Sequence, residues 1–139
     1  MKEIVDLMRD LLPRTHAYMI FDTLEYLLKG GRIGKVQALM GGLLKLNPVI
    51  TLKDGVTTPV AKTRSREKAK DALVKLVKDT QGIEEVVIED ATTQVELEEL
   101  ADRIGAFYPK AKIYRSKSSP VIGVHCGPNV LAASVIGKS

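Results

Sequence analysis

Apolar residues in this chain switch repeatedly between the three-and-four spacing of an amphipathic helix and short unbroken runs rich in β-branched side chains, and that alternation restricts the fold more than any other feature. Helical stripes recur at Ile4, Val5, Leu7, Met8 and Leu11, at Val36, Leu39, Met40, Leu43 and Leu44, at Ala69, Ala72, Leu73, Leu76 and Val77, and at Leu97, Leu100, Ala101 and Ile104. Each predicts a helix with that face turned inward. Strands are expected over Thr15 to Phe21, Val49 to Leu52, Val56 to Thr63, Val86 to Ile88, Ala111 to Arg115, Val121 to His125 and Val130 to Ile136.

The punctuation between these segments agrees with them. Pro13 ends the first helix, Asp22-Thr23 caps one starting at Leu24, Gly30-Gly31 suits a turn, and Asn47-Pro48 stops the helix before it. Asp54-Gly55 joins two strands into a hairpin, with Pro59 confining its strand to an edge or a bulge. Ser65 caps the next helix and Gly82 closes it, while Thr93-x-x-Glu96 reads as a capping box for a helix that ends before Pro109. The expected architecture is α/β, a mixed β-sheet with a central hairpin, covered by helices. At 139 residues and 45% hydrophobic the chain makes one domain over residues 1–139, without a linker, an internal repeat or a low-complexity segment.

No run approaches the about 18 apolar residues that span a bilayer, and Met1-Lys2-Glu3-Ile4 lacks a secretory pattern, so no transmembrane segment and a cytoplasmic location are expected. A lone cysteine, Cys126, excludes an internal disulfide, and the scarcity of Cys and His excludes a structural zinc site. The net charge of +4 is unevenly placed. From Ile83 to Tyr108 eight acids face Arg103 alone, a net of −7, which leaves +11 for the remainder. Such blocks serve equally as solvated faces or as surfaces for an oppositely charged partner.

Phosphate-loop, dinucleotide, zinc-protease and serine-hydrolase signatures are missing. Three runs carry possible chemistry. Lys29-Gly30-Gly31-Arg32-Ile33-Gly34-Lys35 exposes backbone amides beside a cation, suited to an anion or to a plain glycine turn. Lys62-Thr63-Arg64-Ser65-Arg66-Glu67-Lys68 lies at a strand-to-helix junction, either an exposed capped helix start or a phosphate-binding stretch. No aromatic interleaves it, so nucleic acid is a minor alternative. In Gly123-Val124-His125-Cys126-Gly127-Pro128-Asn129 a strand would place His125 at its terminus, able to donate to a ligand, or there for structure alone. Successive strand side chains point oppositely, so His125 is not expected to activate Cys126.

These runs together with Asp22-Thr23-Leu24-Glu25-Tyr26-Leu27 and Asn47-Pro48-Val49-Ile50 resemble the C-terminal half of DegV family proteins, in order and over nearly the whole chain. The resemblance implies a bacterial, non-enzymatic carrier that binds a long-chain fatty acid, needs no other cofactor, and presents the carboxylate to a fatty acid kinase. It implies that His125, with Arg32 and Arg64 near the mouth, serves the carboxylate, and that Gly31, Gly123, Gly127 and Pro128 shape the turns around it. The family's N-terminal domain is missing, so that domain or a second chain would complete the site; a docking half without ligand binding of its own is the alternative. Where the family commonly has a second glycine after Gly-Pro, this chain has Asn129, which tolerates the left-handed backbone such a turn needs. Small residues Ala38, Gly41 and Gly42 beside Leu39 and Leu43 offer room for an acyl chain, and tight packing explains them as well.

Overall fold

The computed structural model describes residues 1–41 and 46–138. Helices α1 (Lys2–Leu11), α2 (Glu25–Lys29), α3 (Arg66–Lys78), α4 (Gln94–Gly105) and α5 (Pro120–Cys126) alternate with strands β1 (Thr15–Ile20), β2 (Val49–Lys53), β3 (Val56–Ala61), β4 (Glu85–Asp90), β5 (Ile113–Lys117) and β6 (Leu131–Ile136). The strands form one sheet in the order β3-β2-β1-β6-β4-β5. Only β4 and β5 run parallel; every other neighbouring pair is antiparallel. The expected mixed sheet forms, and the hairpin, central in the sequence, lies at one edge of it. Pro59 sits on the edge strand, where pairing of Val49 with Ala61 and Ile50 with Pro59 leaves Val60 bulged.

Strand alternation distributes the apolar residues to two faces. Ile20, Val49, Leu131, Ala133 and Val135 join Val86 and Ile88 under α3 and α4, whose Ala69, Leu73, Val77, Leu97, Leu100, Ala101 and Ile104 close the larger core. Phe21 and Ile50 point the other way and meet Leu27 of α2, Ile33, Val36 and Cys126 of α5 in a smaller one. This second face carries the glycine turn and His125.

Several expectations are corrected. The run Val121 to His125 is not a strand: Ser119 caps it by accepting from the Ile122 amide, Pro120 occupies the first turn, and Gly127 at φ +75° ends it, so it forms α5. Its Val121, Ile122 and Val124 mimic a strand because they are β-branched, yet they project to solvent. The predicted helix from Val36 is a 3₁₀ turn over Gly34–Leu39, because Gly34 at φ +50° lies against the Thr57 backbone and Thr57 donates 2.6 Å to the Arg32 carbonyl. Leu43, Leu44 and Gly42 lie outside the described residues. The α1 stripe does not turn inward; Ile4, Val5, Leu7 and Met8 are exposed. Thr93 makes no capping hydrogen bond, and Glu96 bonds Arg66 instead. The fifth strand begins at Ile113, after a 3₁₀ turn over Lys110–Lys112.

The acidic block is answered from within the molecule. Glu84 pairs with Arg14, Asp90 with Lys117, Glu96 with Arg66, Glu98 with Arg115, Glu99 with Lys70 and Asp102 with Lys110. Lys70, only 2% exposed, is held between α3 and α4 by Glu67, Glu96 and Glu99.

Candidate functional site

His125 occupies the last turn of α5 and is half-buried. Its ring lies on Gly30, the C-cap of α2, so closely that a Cβ added there would stand 2.2 Å from Nδ1. One residue pair further along, the Tyr26 ring covers Gly127, where an added Cβ would meet Cδ2 at 2.4 Å. Two glycines thus set how α2 and α5 approach. Among the described residues the buried Nδ1 has no hydrogen-bond partner, which leaves Nε2 as the ring nitrogen able to reach a ligand.

The turn beneath the ring is fixed at both ends. The Arg32 amide donates 2.8 Å to the Leu27 carbonyl, the Arg32 guanidinium donates 2.8 Å to the Gly30 carbonyl, and Ile33 and Val36 are buried in the smaller core. Gly31, at φ +68°, leaves open space where a side chain would stand. An open cleft of about 320 Å³ runs between this turn and the hairpin, lined by Arg32, Gly34, Leu52, Val56 and Thr57.

His125, Gly127 and the Gly30–Arg32 turn are therefore brought together. Arg64 stands exposed at the β3–α3 junction, and no hydrogen bond or ion pair engages it among the described residues. Gly123 is half-buried and Pro128 exposed. Of the expected acyl lining, Ala38 and Gly41 are exposed, Leu39 packs half-buried on the smaller core, and Gly42 and Leu43 lie outside the described residues. The two helices carry exposed apolar side chains nonetheless: Val121, Ile122 and Val124 of α5 and Tyr26 and Leu28 of α2. Cys126 faces inward, and burial pushes its thiol up, the wrong direction for a nucleophile.

Sequence reasoning did not find Gly30 as the seat of the ring, Tyr26 as the cover of Gly127, or the polar cluster behind the turn. In that cluster Arg66 donates to Asp22 at 2.7 Å, to Glu96 at 2.6 Å and to the Asn129 carbonyl at 2.6 Å. Asn129 is in the left-handed region at φ +59°, and the unusual residue at that position was the available signal. Within the lysine and arginine run at the β3–α3 junction Arg66 is spent on acids of this same chain, as is Lys70 just beyond it, while Lys62, Arg64 and Lys68 stay exposed. Among the described residues no cluster of His, Cys, Asp and Glu is fit for a metal ion, and no helix is long and apolar enough to cross a membrane.

The chain is similar to known proteins over nearly its whole length. A DegV domain-containing protein of Streptococcus pyogenes is 31% identical over 138 residues, covering 99% of this chain and 48% of that protein. Among solved structures, a fatty acid binding DegV family protein from Streptococcus agalactiae superposes with a TM-score of 0.87 at 23% identity, over 99% of this chain and 50% of the other. DegV from Bacillus subtilis, described as a fatty acid binding protein, gives 0.81 at 27% identity over 99% and 50%. This chain thus spans about half the length of the relatives it matches. The family model described as "Uncharacterised protein, DegV family" matches residues 1–138, so the chain belongs to the DegV family.

Proposed function

We propose that this chain is the half of a DegV protein that grips a long-chain fatty acid near its carboxylate and carries it without transforming it. The observation that carries the reading is the His125 ring, seated on Gly30 beside a fixed glycine turn, on two helices that also expose apolar side chains. In this reading Nε2 of His125 bonds the carboxylate, and Arg32 and Arg64 supply positive potential at the mouth. Gly31, Gly127 and Pro128 shape the turns, and Ala38, Leu39 and Gly41 border the acyl chain. The division of labour is physical. Each buried CH₂ contributes about 0.8 kcal/mol, so a long chain yields ~10 kcal/mol gross and supplies affinity, while the charged head fixes orientation because leaving it unpaired is penalised. The solved relatives described as fatty acid binding support the ligand class. The other half of the family polypeptide, N-terminal to this one, or a second chain would close the site, and a cytoplasmic kinase acting on the presented carboxylate is the partner that fits a carrier.

The test is chemical. Purified protein is denatured and its extract analysed by mass spectrometry, and palmitate and oleate are titrated in a thermal-shift assay. Co-purified fatty acid, or a rise in melting temperature abolished by His125→Gln, is the expected result. A lipid-free preparation with no shift would refute binding by this chain alone. A second reading, a docking half that binds lipid only when joined to its complement, is favoured by the exposed stripes of α1 and α5. It predicts that binding appears only on adding the complementary half.

A further inference from the structure

Asn129 has four polar groups, and all four are used. Its amide donates 3.1 Å to Thr92 Oγ1, Thr92 Oγ1 donates 2.7 Å back to Oδ1, Nδ2 donates 2.6 Å to Asp22 Oδ2, and the carbonyl accepts from Arg66 at 2.6 Å. Arg66 also holds the other oxygen of Asp22 at 2.7 Å and grips Glu96 of α4 through both Nε and Nη2. The four contributing positions come from four separate places in the sequence. Asp22 follows β1, Arg66 opens α3, Thr92 follows β4, and Asn129 lies between α5 and β6. They converge at one end of the sheet, where the chain leaves His125 and reverses into β6.

That reversal takes only Gly127, Pro128, Asn129 and Val130. It is held at Gly127 by the Tyr26 ring, at Asn129 by the cluster, and at Val130, whose carbonyl accepts from the Ala91 amide at 3.2 Å. A helix of seven residues has little rigidity of its own, and α5 meets the smaller core mainly through Cys126. His125 lies four residues before Asn129, so this C-terminal anchor bears on the direction of its ring together with the Gly30 seat and the hold of Asp90 on the Ser118 amide at the other end of α5. We propose that Asn129, clamped by Arg66, Asp22 and Thr92, is a positioning residue that fixes the orientation of His125 toward the carboxylate; this rests on the lipid-binding reading for its purpose but not for its geometry.

Glycine at this position would keep the left-handed backbone and lose the two side-chain links, which makes Asn129→Gly the discriminating variant. The chain has two histidines, His16 on β1 and His125, so nitrogen-15 imidazole spectra report the site and an internal control together. The signals are assigned with His125→Gln. In Asn129→Gly, and in Arg66→Lys, whose ammonium cannot reproduce the forked contacts, the His125 ring signals are expected to shift and broaden while those of His16 stay in place. Palmitate affinity is expected to fall about tenfold with the melting temperature within a few degrees of the parent. His125 signals unchanged in both variants would overturn the proposal, and so would equal changes at His16, which would mark a merely structural loss. If the parent protein binds no palmitate while His125 alone responds in the spectra, the positioning role stands and the lipid reading falls.

Discussion

A hydrogen atom in place of a methyl group decides whether the imidazole has a seat. Gly30 adopts an ordinary helical conformation, φ −79° and ψ −2°, so its backbone would accept any residue. What forbids one is His125, whose Nδ1 would stand 2.2 Å from the new Cβ. Gly30→Ala therefore separates site geometry from backbone strain. The ring must swing away, while the end of α2 gains helix propensity. Palmitate affinity is expected to drop about tenfold or more, with a melting temperature within about 3 °C of the parent. Unchanged affinity would show that the ring does not need this seat. The histidine, the glycine-rich turn and Arg32 were all legible as residue types in the sequence. Their meeting was not, because it depends on α2 and α5 touching through two side-chain-free positions almost a hundred residues apart.

At the level of elements, α3 and α4 are joined by charge across their exposed edges as well as by apolar contact beneath. Hydrogen bonds from Lys70 and Arg103 hold the Glu67 carboxyl below the ordinary carboxylate value near 4.5, and Arg66 and Arg115 do the same for Glu96 and Glu98. A depressed folded value means these groups stabilise the fold fully above their unfolded value and lose that contribution as pH falls through the folded one. The melting temperature is accordingly expected to stay level from neutral pH down to about 4.5 and to fall below it; a rise on acidification would contradict the pairing. Element types were read correctly where a stripe was long, as in α3 and α4. They failed at α5, whose β-branched residues read as a strand although Ser119 and Pro120 open it as a helix, and at the short turn after Gly34, where contact with Thr57 overrides local spacing. The direction of the α1 stripe was unreadable for a simpler reason. Periodicity identifies an apolar face and says nothing about what meets it.

For the molecule as a whole, one residue measures how tightly the larger core is knit. Leu100 is fully buried between α4 and the sheet, and Leu100→Ala is expected to cost about 2–5 kcal/mol in urea unfolding, against less than 0.5 kcal/mol for Leu7→Ala on the exposed face of α1. Equal costs would mean that α1 is covered in solution. The mixed sheet was legible from alternation and turn residues, whereas its strand order was not, since local pattern carries no record of which strand lies in the middle. That order has a kinetic consequence. β6 is the last strand in sequence, yet it lies between β1 and β4, so the β1–β3 and β4–β5 portions meet in the sheet only through it. Until β6 takes its place, β1 and β4 each keep one edge unpaired. Pairing β1 with β6 joins residues more than a hundred positions apart, a non-local contact whose loop-closure entropy slows folding relative to a sheet built from neighbouring strands alone.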